Sequence, residues 1–223
     1  QLDASAVELV DRTMIDLASE NPVFRPAIDQ FLKGNPAAIL LVEFSGDEEQ
    51  PLLEKLTHLH ELLRDLNSSV EIIDALDPGF QAEVWEVRKS GLNILMAMRG
   101  DGKPVSFIED CAVPLEHLAD YTDRLNEEFD RHGVQGTWYA HASVGTLHVR
   151  PVLNMKDPKH AIKMREIAEF ACATVKELKG AFSGEHGDGL VRSEFIEKFY
   201  GPRLTQAFKE IKEAFDPDHM LNP

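Results

Sequence analysis

The sequence predicts an α+β fold, with helices packed on one face of a mostly antiparallel sheet. Three observations support this class: long stretches carry apolar residues at helical intervals, short apolar runs end at turn residues, and strands are few relative to helices. The predicted order is helix, strand–helix–strand, helix, and strand–helix–strand–strand–helix, which is typical of an α+β sandwich. The same order favours two ferredoxin-like halves within residues 1–223, divided near residues 90–110.

Helices are predicted where apolar side chains recur every three or four residues along one face. Val7, Val10 and Met14 form such a stripe in the first segment, and Pro78 suits the first turn of a later helix. The predicted helices cover residues 5–19, 27–32, 48–66, 78–89, 114–131, 158–179, 193–199 and 201–214.

Strands are predicted where short apolar runs are bounded by turn residues. Residues 37–44 form a buried run that ends at Ser45-Gly46-Asp47, and a tight turn at Gly145 joins residues 137–142 to residues 146–152. The other predicted strands are residues 70–73, 93–98 and 104–113.

The composition excludes several classes of protein. With 39 acidic and 23 basic residues the net charge is −16, which argues against binding to nucleic acid or to an anionic membrane. The longest apolar run, residues 37–42, is too short to cross a bilayer. Two cysteines cannot form a disulfide framework, so we expect a reducing, cytoplasmic location, with attachment to the inner face of the membrane as an alternative for a longer protein.

Two histidines flank the predicted turn at Gly145. If the strands pair there, the imidazoles of His141 and His148 approach each other as ligands of one divalent ion would. The spacing alone favours the alternative, in which both histidines only stabilise the hairpin.

A glycine-rich loop, Gly184-Glu185-His186-Gly187, supplies a carboxylate and a third imidazole. Glycine lets the backbone approach a ligand closely, although a solvated turn explains the loop equally well. With His141 and His148, Glu185 would complete a site for Zn, Mn or Fe that keeps positions open for substrate. Arg150, and less clearly Arg88, could bind a substrate carboxylate.

Five ordered segments together resemble the C-terminal domain of FAD-linked oxidases of the vanillyl-alcohol oxidase type, which include D-lactate, glycolate and D-2-hydroxyglutarate dehydrogenases. They are Trp85-x-x-Arg88, residues 109–114 (EDCAVP), residues 139–148, residues 183–187 (SGEHG) and residues 215–223. The resemblance implies a duplicated ferredoxin-like cap domain over residues 1–223, covering a flavin held by a separate FAD-binding domain. The chain also resembles long bacterial proteins that carry an iron–sulfur region. We therefore expect the FAD-binding domain and an iron–sulfur domain to lie outside this chain, which on its own would be inactive.

The resemblance implies a role for individual residues. His141, His148 and Glu185 match metal ligands, and His186 matches the base that removes the hydroxyl proton of a D-2-hydroxy acid while hydride passes to FAD. Arg88 matches an anchor for the substrate carboxylate, and Asn222 a residue near the flavin ring. The implied partners are a small 2-hydroxy acid, the FAD-binding domain and an electron acceptor of unknown identity.

The chain departs from the family pattern at four positions. Val144 and Thr146 replace Asp and Asn of the usual motif, Ile108 stands where dicarboxylate-specific members have lysine, and Arg150 replaces a neutral residue. These changes leave the substrate open between D-2-hydroxyglutarate and D-lactate. Two alternatives also stay open: a non-catalytic α+β binding or oligomerisation module with structural histidines, and a metal-free FAD oxidase of the same family.

Overall fold

The computed structural model describes residues 2–68 and 70–221, and their strands form one six-stranded sheet. The strands are β1 (Ala6–Asp11), β2 (Ala38–Glu43), β3 (Lys103–Pro104), β4 (Cys111–Ala112), β5 (Gly136–His141) and β6 (Thr146–Leu153). Their order is β2-β1-β5-β6-β3, with β4 also paired to β6. Every pairing among them is antiparallel, which confirms the predicted α+β class.

Helices account for most of the remaining described chain. They are α1 (Arg12–Glu20), α2 (Arg25–Phe31), α3 (Glu49–Asp65), α4 (Pro78–Lys89), α5 (Gly91–Met96), α6 (Leu118–His132), α7 (Pro158–Glu177), α8 (Gly189–Arg192), α9 (Ile196–Tyr200) and α10 (Pro202–Phe215). Short 3₁₀ turns cover residues 115–117, 142–144 and 193–195. Within the described ranges, none of these helices combines the length and apolarity that a bilayer crossing needs.

The first predicted helix, residues 5–19, is wrong in its first half. Residues 6–11 form β1, which lies between β2 and β5 and pairs with both. Pairing on two sides outweighs the helical spacing of Val7 and Val10, since β-branched residues also suit strands. The helix begins only at Arg12, where the carboxylate of Asp11 caps it by accepting from the Met14 amide at 2.9 Å.

Three of the predicted strands also differ from the structure. Residues 93–98 lie mostly in α5, where Ile94 and Leu95 are buried in a cluster with Met14; a short apolar run does not distinguish strand from helix. Among residues 70–73 no strand forms. Within residues 104–113 only Pro104, Cys111 and Ala112 lie in strands, and Asp110, with a φ of 74°, interrupts extended backbone directly before β4.

The strand register gives the sheet one polar and one apolar face near its centre. Glu8 pairs with His141, and Tyr139 pairs with both Val10 and His148. Side chains alternate along a strand, so Glu8, Tyr139, His141, His148 and Arg150 share a face. The intervening residues Leu9, Trp138, Ala140, Leu147 and Val149 belong to the opposite face.

Two hydrophobic clusters cover the two faces. The larger one packs the apolar face against α6 and α7, with Leu125, Phe129 and Ile167 almost fully buried. The smaller one joins Tyr139 on the polar face to α1, α2, α4 and α5. Helices therefore pack against both faces, whereas the element order favoured one. The polar side chains share the face of the smaller cluster, and all of them except His141 are buried.

The turn between β5 and β6 depends on Gly145. Its φ is 73°, and a Cβ added there would lie 2.1 Å from the Val113 carbonyl oxygen. The Gly145 carbonyl in turn accepts from the Val113 amide at 3.0 Å. This close approach holds β5 and β6 against the segment that follows β4.

We predict that Gly145→Ala destabilises the protein by at least about 2 kcal/mol more than Gly133→Ala, measured by urea unfolding. Gly133 is a matched control because its φ is 58° and a Cβ there meets nothing within 4 Å. Both variants carry the cost of left-handed backbone, but only Gly145→Ala adds a backbone clash. Equal losses would contradict the importance of the close approach.

Candidate active site

His141, His148 and Glu185 converge, although Glu185 lies about forty residues away in sequence. The Glu185 Oε1 atom is 3.6 Å from His141 Nε2 and 3.1 Å from His148 Nε2. Four tetrahedral ligands about 2.1 Å from one zinc ion are about 3.4 Å apart, so these separations suit one ion. No lysine or arginine among residues 2–68 and 70–221 pairs with Glu185, and its Oε1 atom lies near the imidazoles of His141, His148 and His186. The donor set therefore fits a divalent cation.

His186 stands beside this triad and is half exposed. Its ring stacks on that of His148, with centroids 5.3 Å apart and planes inclined by 16°. The His186 Nε2 atom lies 3.3 Å from Glu185 Oε1, and Nδ1 lies 3.2 Å from Glu109 Oε1. One nitrogen thus faces the candidate metal ligands, and the other has a carboxylate acceptor.

Asp110, which is fully buried, builds the glycine-rich loop. Its carboxylate accepts from the amides of Glu185 and His186 at 2.9 Å each and from the Ser183 hydroxyl at 2.6 Å. Its carbonyl accepts from the Gly184 amide at 2.7 Å. The positive φ of Asp110 allows both groups to reach the same loop, so one residue sets the positions of two candidate functional side chains.

Glu109 carries a buried negative charge between two histidines and an arginine. Arg150 donates to its Oε2 at 2.5 Å and also binds the Tyr139 and Ser106 hydroxyls. Burial alone would raise the pKa of Glu109, but the nearby imidazole of His148, the charge of Arg150 and the His186 contact outweigh it and lower the pKa to about 2. Glu109 is therefore ionised at neutral pH.

A second buried pair supports His141. Its Nδ1 lies 2.8 Å from Glu8 Oε1, and Arg88 donates to Glu8 Oε2 from Nη2 at 2.6 Å and from Nε at 3.0 Å. The guanidinium groups of Arg88 and Arg150 lie 4.8 Å and 5.0 Å from the centre of the Tyr139 ring, within range of cation–π attraction.

The same side chains form two other groups that could hold a cation: Glu109 with His148 and His186, and Asp110 with Glu185 and His186. In both, the additional carboxylate is already engaged, Glu109 by Arg150 and Asp110 by the loop. Among the described residues, no arginine or loop amide engages the Glu185 carboxylate in this way, so the triad of His141, His148 and Glu185 fits a metal best.

The sequence-predicted site residues fall into three groups. His141, His148, Glu185 and His186 lie together, as a common site requires. Arg88 and Arg150 are adjacent but buried in ion pairs with glutamates, so their contact with substrate stays a prediction. Asn222 lies outside the described residues.

Four residues of the site were not predicted to have a role: Glu8, Glu109, Asp110 and Tyr139. Glu8 gave one signal, a charged residue inside an apolar run. Glu109 and Asp110 gave another, an acidic pair directly after Phe107-Ile108, both of which are almost fully buried. Neither signal shows which side chain is the partner.

Comparison with known proteins gives one family for the whole chain. The family described as FAD linked oxidases, C-terminal domain matches residues 1–223. A D-2-hydroxyglutarate dehydrogenase of Escherichia coli is 34% identical over 99% of this chain and 22% of its own length. A mitochondrial D-lactate dehydrogenase [cytochrome] of Arabidopsis thaliana is 27% identical over 84% of this chain and 32% of its own.

The fold is also found in a solved structure. The crystal structure of p-cresol methylhydroxylase with substrate bound aligns with 98% of this chain and 45% of that one, with a TM-score of 0.63. At 13% sequence identity, this likeness concerns the fold alone.

We predict that the free energy of unfolding depends on the charge of Glu109. A carboxyl whose pKa falls from an ordinary 4.5 to about 2 on folding stabilises the protein by about 3 kcal/mol above pH 4.5. That contribution is lost as the pH falls from 4.5 towards 2. Glu109→Gln should therefore lower stability by about this amount at pH 7, and its difference from wild type should vanish near pH 2.

Urea unfolding in the presence of a chelator, repeated from pH 7 to pH 2, measures this difference. Glu177→Gln is the control, since Glu177 pairs with Arg124 on the surface, where solvent screens the attraction, and its loss should change stability far less than the loss of Glu109. A Glu109→Gln deficit that stays constant down to pH 2 would show that the charge of Glu109 is not the cause.

Proposed function

Because the chain belongs to the family of FAD linked oxidases, C-terminal domain, we propose that it is the substrate-binding and catalytic cap domain of a flavin-dependent D-2-hydroxy acid dehydrogenase. The chain spans only 22% of the length of its bacterial D-2-hydroxyglutarate dehydrogenase relatives. Flavin binding would therefore depend mainly on an FAD-binding domain elsewhere in the full-length protein.

The observation that carries this proposal is the convergence of three imidazoles and one carboxylate. His141, His148 and Glu185 would hold a divalent metal, while His186 remains half exposed next to them. A catalytic base needs to be within reach of the substrate hydroxyl group, and the stacking of His186 on His148 places this base next to the residues that would hold the metal. A module with purely structural histidines has no need to leave Glu185 and His186 accessible.

The chain's own residues would handle the proton of the reaction. When bound, a divalent metal supplies Lewis acidity that lowers a hydroxyl pKa, and flavin supplies the redox chemistry. His186 would accept the hydroxyl proton at Nε2 while its Nδ1–H donates to Glu109. The substrate loses this proton and a hydride, so a 2-hydroxy acid becomes a 2-oxo acid.

The leading substrates are D-2-hydroxyglutarate and D-lactate, on which the relatives are named to act. Arg88 and Arg150 remain the proposed contacts for the substrate carboxylate. They would donate to it through the N–H groups that do not bind their glutamate partners. The electron acceptor, an iron–sulfur cluster elsewhere in the protein, a cytoplasmic location and the division near residues 90–110 stay predictions.

We expect His186→Ala to lower the rate of oxidation of a D-2-hydroxy acid by about 10²–10⁴-fold in the full-length protein, because a positioned base is lost. The assay uses D-2-hydroxyglutarate and D-lactate separately, with an artificial electron acceptor. His58→Ala, which changes an exposed histidine of α3, should keep the wild-type rate.

Flavin content and secondary structure of each variant establish that it is folded. Wild-type turnover by His186→Ala would contradict the proposed base. Absence of turnover of both D-2-hydroxy acids by the folded, flavin-loaded wild type would contradict the proposed activity itself.

A further inference from the structure

The orientation of His141 is fixed from behind by Glu8. The Glu8 carboxylate lies 2.8 Å and 3.0 Å from His141 Nδ1 through its two oxygens. A carboxylate can only accept a hydrogen bond, so the proton of a neutral His141 ring resides on Nδ1. The lone pair is then on Nε2, the atom that faces Glu185.

Glu8 is itself held in place. It is 6% exposed, and Arg88, 80 positions further along the chain, donates two hydrogen bonds to its Oε2 atom. A carboxylate buried to this degree would be costly without a cation, so the arginine compensates its charge. The guanidinium group is fixed in turn by the ring of Tyr139, 4.8 Å away.

We propose that Glu8, held by Arg88, is a positioning residue that sets the tautomer and orientation of His141 for metal binding. The inference rests on the proposed metal site and goes beyond it. It assigns a role in metal binding to Glu8 and Arg88, which lie 80 positions apart in sequence and are not among the candidate metal ligands. Carboxylates that bind the distal nitrogen of a metal-ligating histidine commonly change metal affinity 10–100-fold when they are removed.

The chain contains a matched control for this arrangement. Glu128 of α6 is also buried, contacts the Nε2 atom of His132 at 2.9 Å and pairs with Arg131. It thus has the same three chemical groups, but none of them belongs to the candidate metal site. A general effect of losing a buried carboxylate would appear in Glu128→Gln as well as in Glu8→Gln.

The experiment measures the affinity of the full-length, flavin-loaded protein for Zn²⁺ alone, by competition with a chromophoric chelator after removal of bound metal. Glu8→Gln keeps the size of the side chain and removes its charge, and we expect it to weaken Zn²⁺ binding 10–100-fold. Glu128→Gln should bind Zn²⁺ as wild type does. Thermal unfolding in chelator separates a loss of stability from a loss of affinity.

Arg88→Lys is a second variant, since lysine cannot donate the paired hydrogen bonds of the guanidinium group. It should also weaken Zn²⁺ binding. If Glu8→Gln does not fold, Arg88→Lys takes its place in the comparison with wild type and Glu128→Gln. Unchanged Zn²⁺ affinity of Arg88→Lys would contradict the positioning role of Arg88, whether or not the KM for the substrate rises.

Two negative results have different meanings. If wild type binds Zn²⁺ and Glu8→Gln binds it equally well, the positioning role of Glu8 is overturned and the proposed metal site stands. If folded wild type binds no Zn²⁺, the metal site fails, and the positioning role fails with it.

Discussion

The antiparallel register of β1, β5 and β6 is the constraint on which the candidate site depends. Because Glu8 pairs with His141 and Tyr139 with His148, four side chains from three strands share one face of the sheet. A shift of one residue in any of these strands would move its polar side chains to the face that packs against α6 and α7. Burial of the apolar side chains on that face, such as Leu147 and Val149, therefore fixes the register and with it the geometry of the site.

Buried charges surround the site in pairs, and each pair supports a different part of it. Arg88 compensates Glu8 behind His141, Arg150 compensates Glu109 behind His186, and Arg192 lies 3.7 Å from Asp110 and donates to the Gly187 carbonyl at 2.7 Å. Compared with apolar side chains of similar size, such pairs add little stability because desolvation offsets their attraction, although removal of one partner leaves the other charge uncompensated. Their value here is positional, since the three acids hold two imidazoles and the loop that carries Glu185.

This arrangement also explains how an acidic protein could accept an anionic substrate. The net charge of −16 suggests repulsion, but Glu8, Glu109 and Asp110 within the site each lie next to a guanidinium group, of Arg88, Arg150 and Arg192 respectively. The accessible groups are Glu185 and the imidazoles of His141 and His186, while His148 is buried. A divalent cation there would give the site a local positive charge.

The sequence predicts those parts of the molecule whose signals are local. The hairpin at Gly145 and the loop at residues 183–187 are marked by glycines and by short strand patterns, so His141, His148, Glu185 and His186 could be singled out. β1 could not be distinguished from a helix, because its pairing with β2 and β5 is a tertiary effect. The partnership of Glu8 with Arg88 spans 80 positions, and no local pattern encodes it.

Anomalous X-ray scattering from crystals of the full-length protein soaked with Zn²⁺ would locate the ion at the candidate metal site. We predict one strong peak about 2.0–2.2 Å from His141 Nε2, His148 Nε2 and a Glu185 oxygen, with His186 adjacent but not coordinating. A peak between Glu109, His148 and His186, or no peak near these histidines, would contradict it.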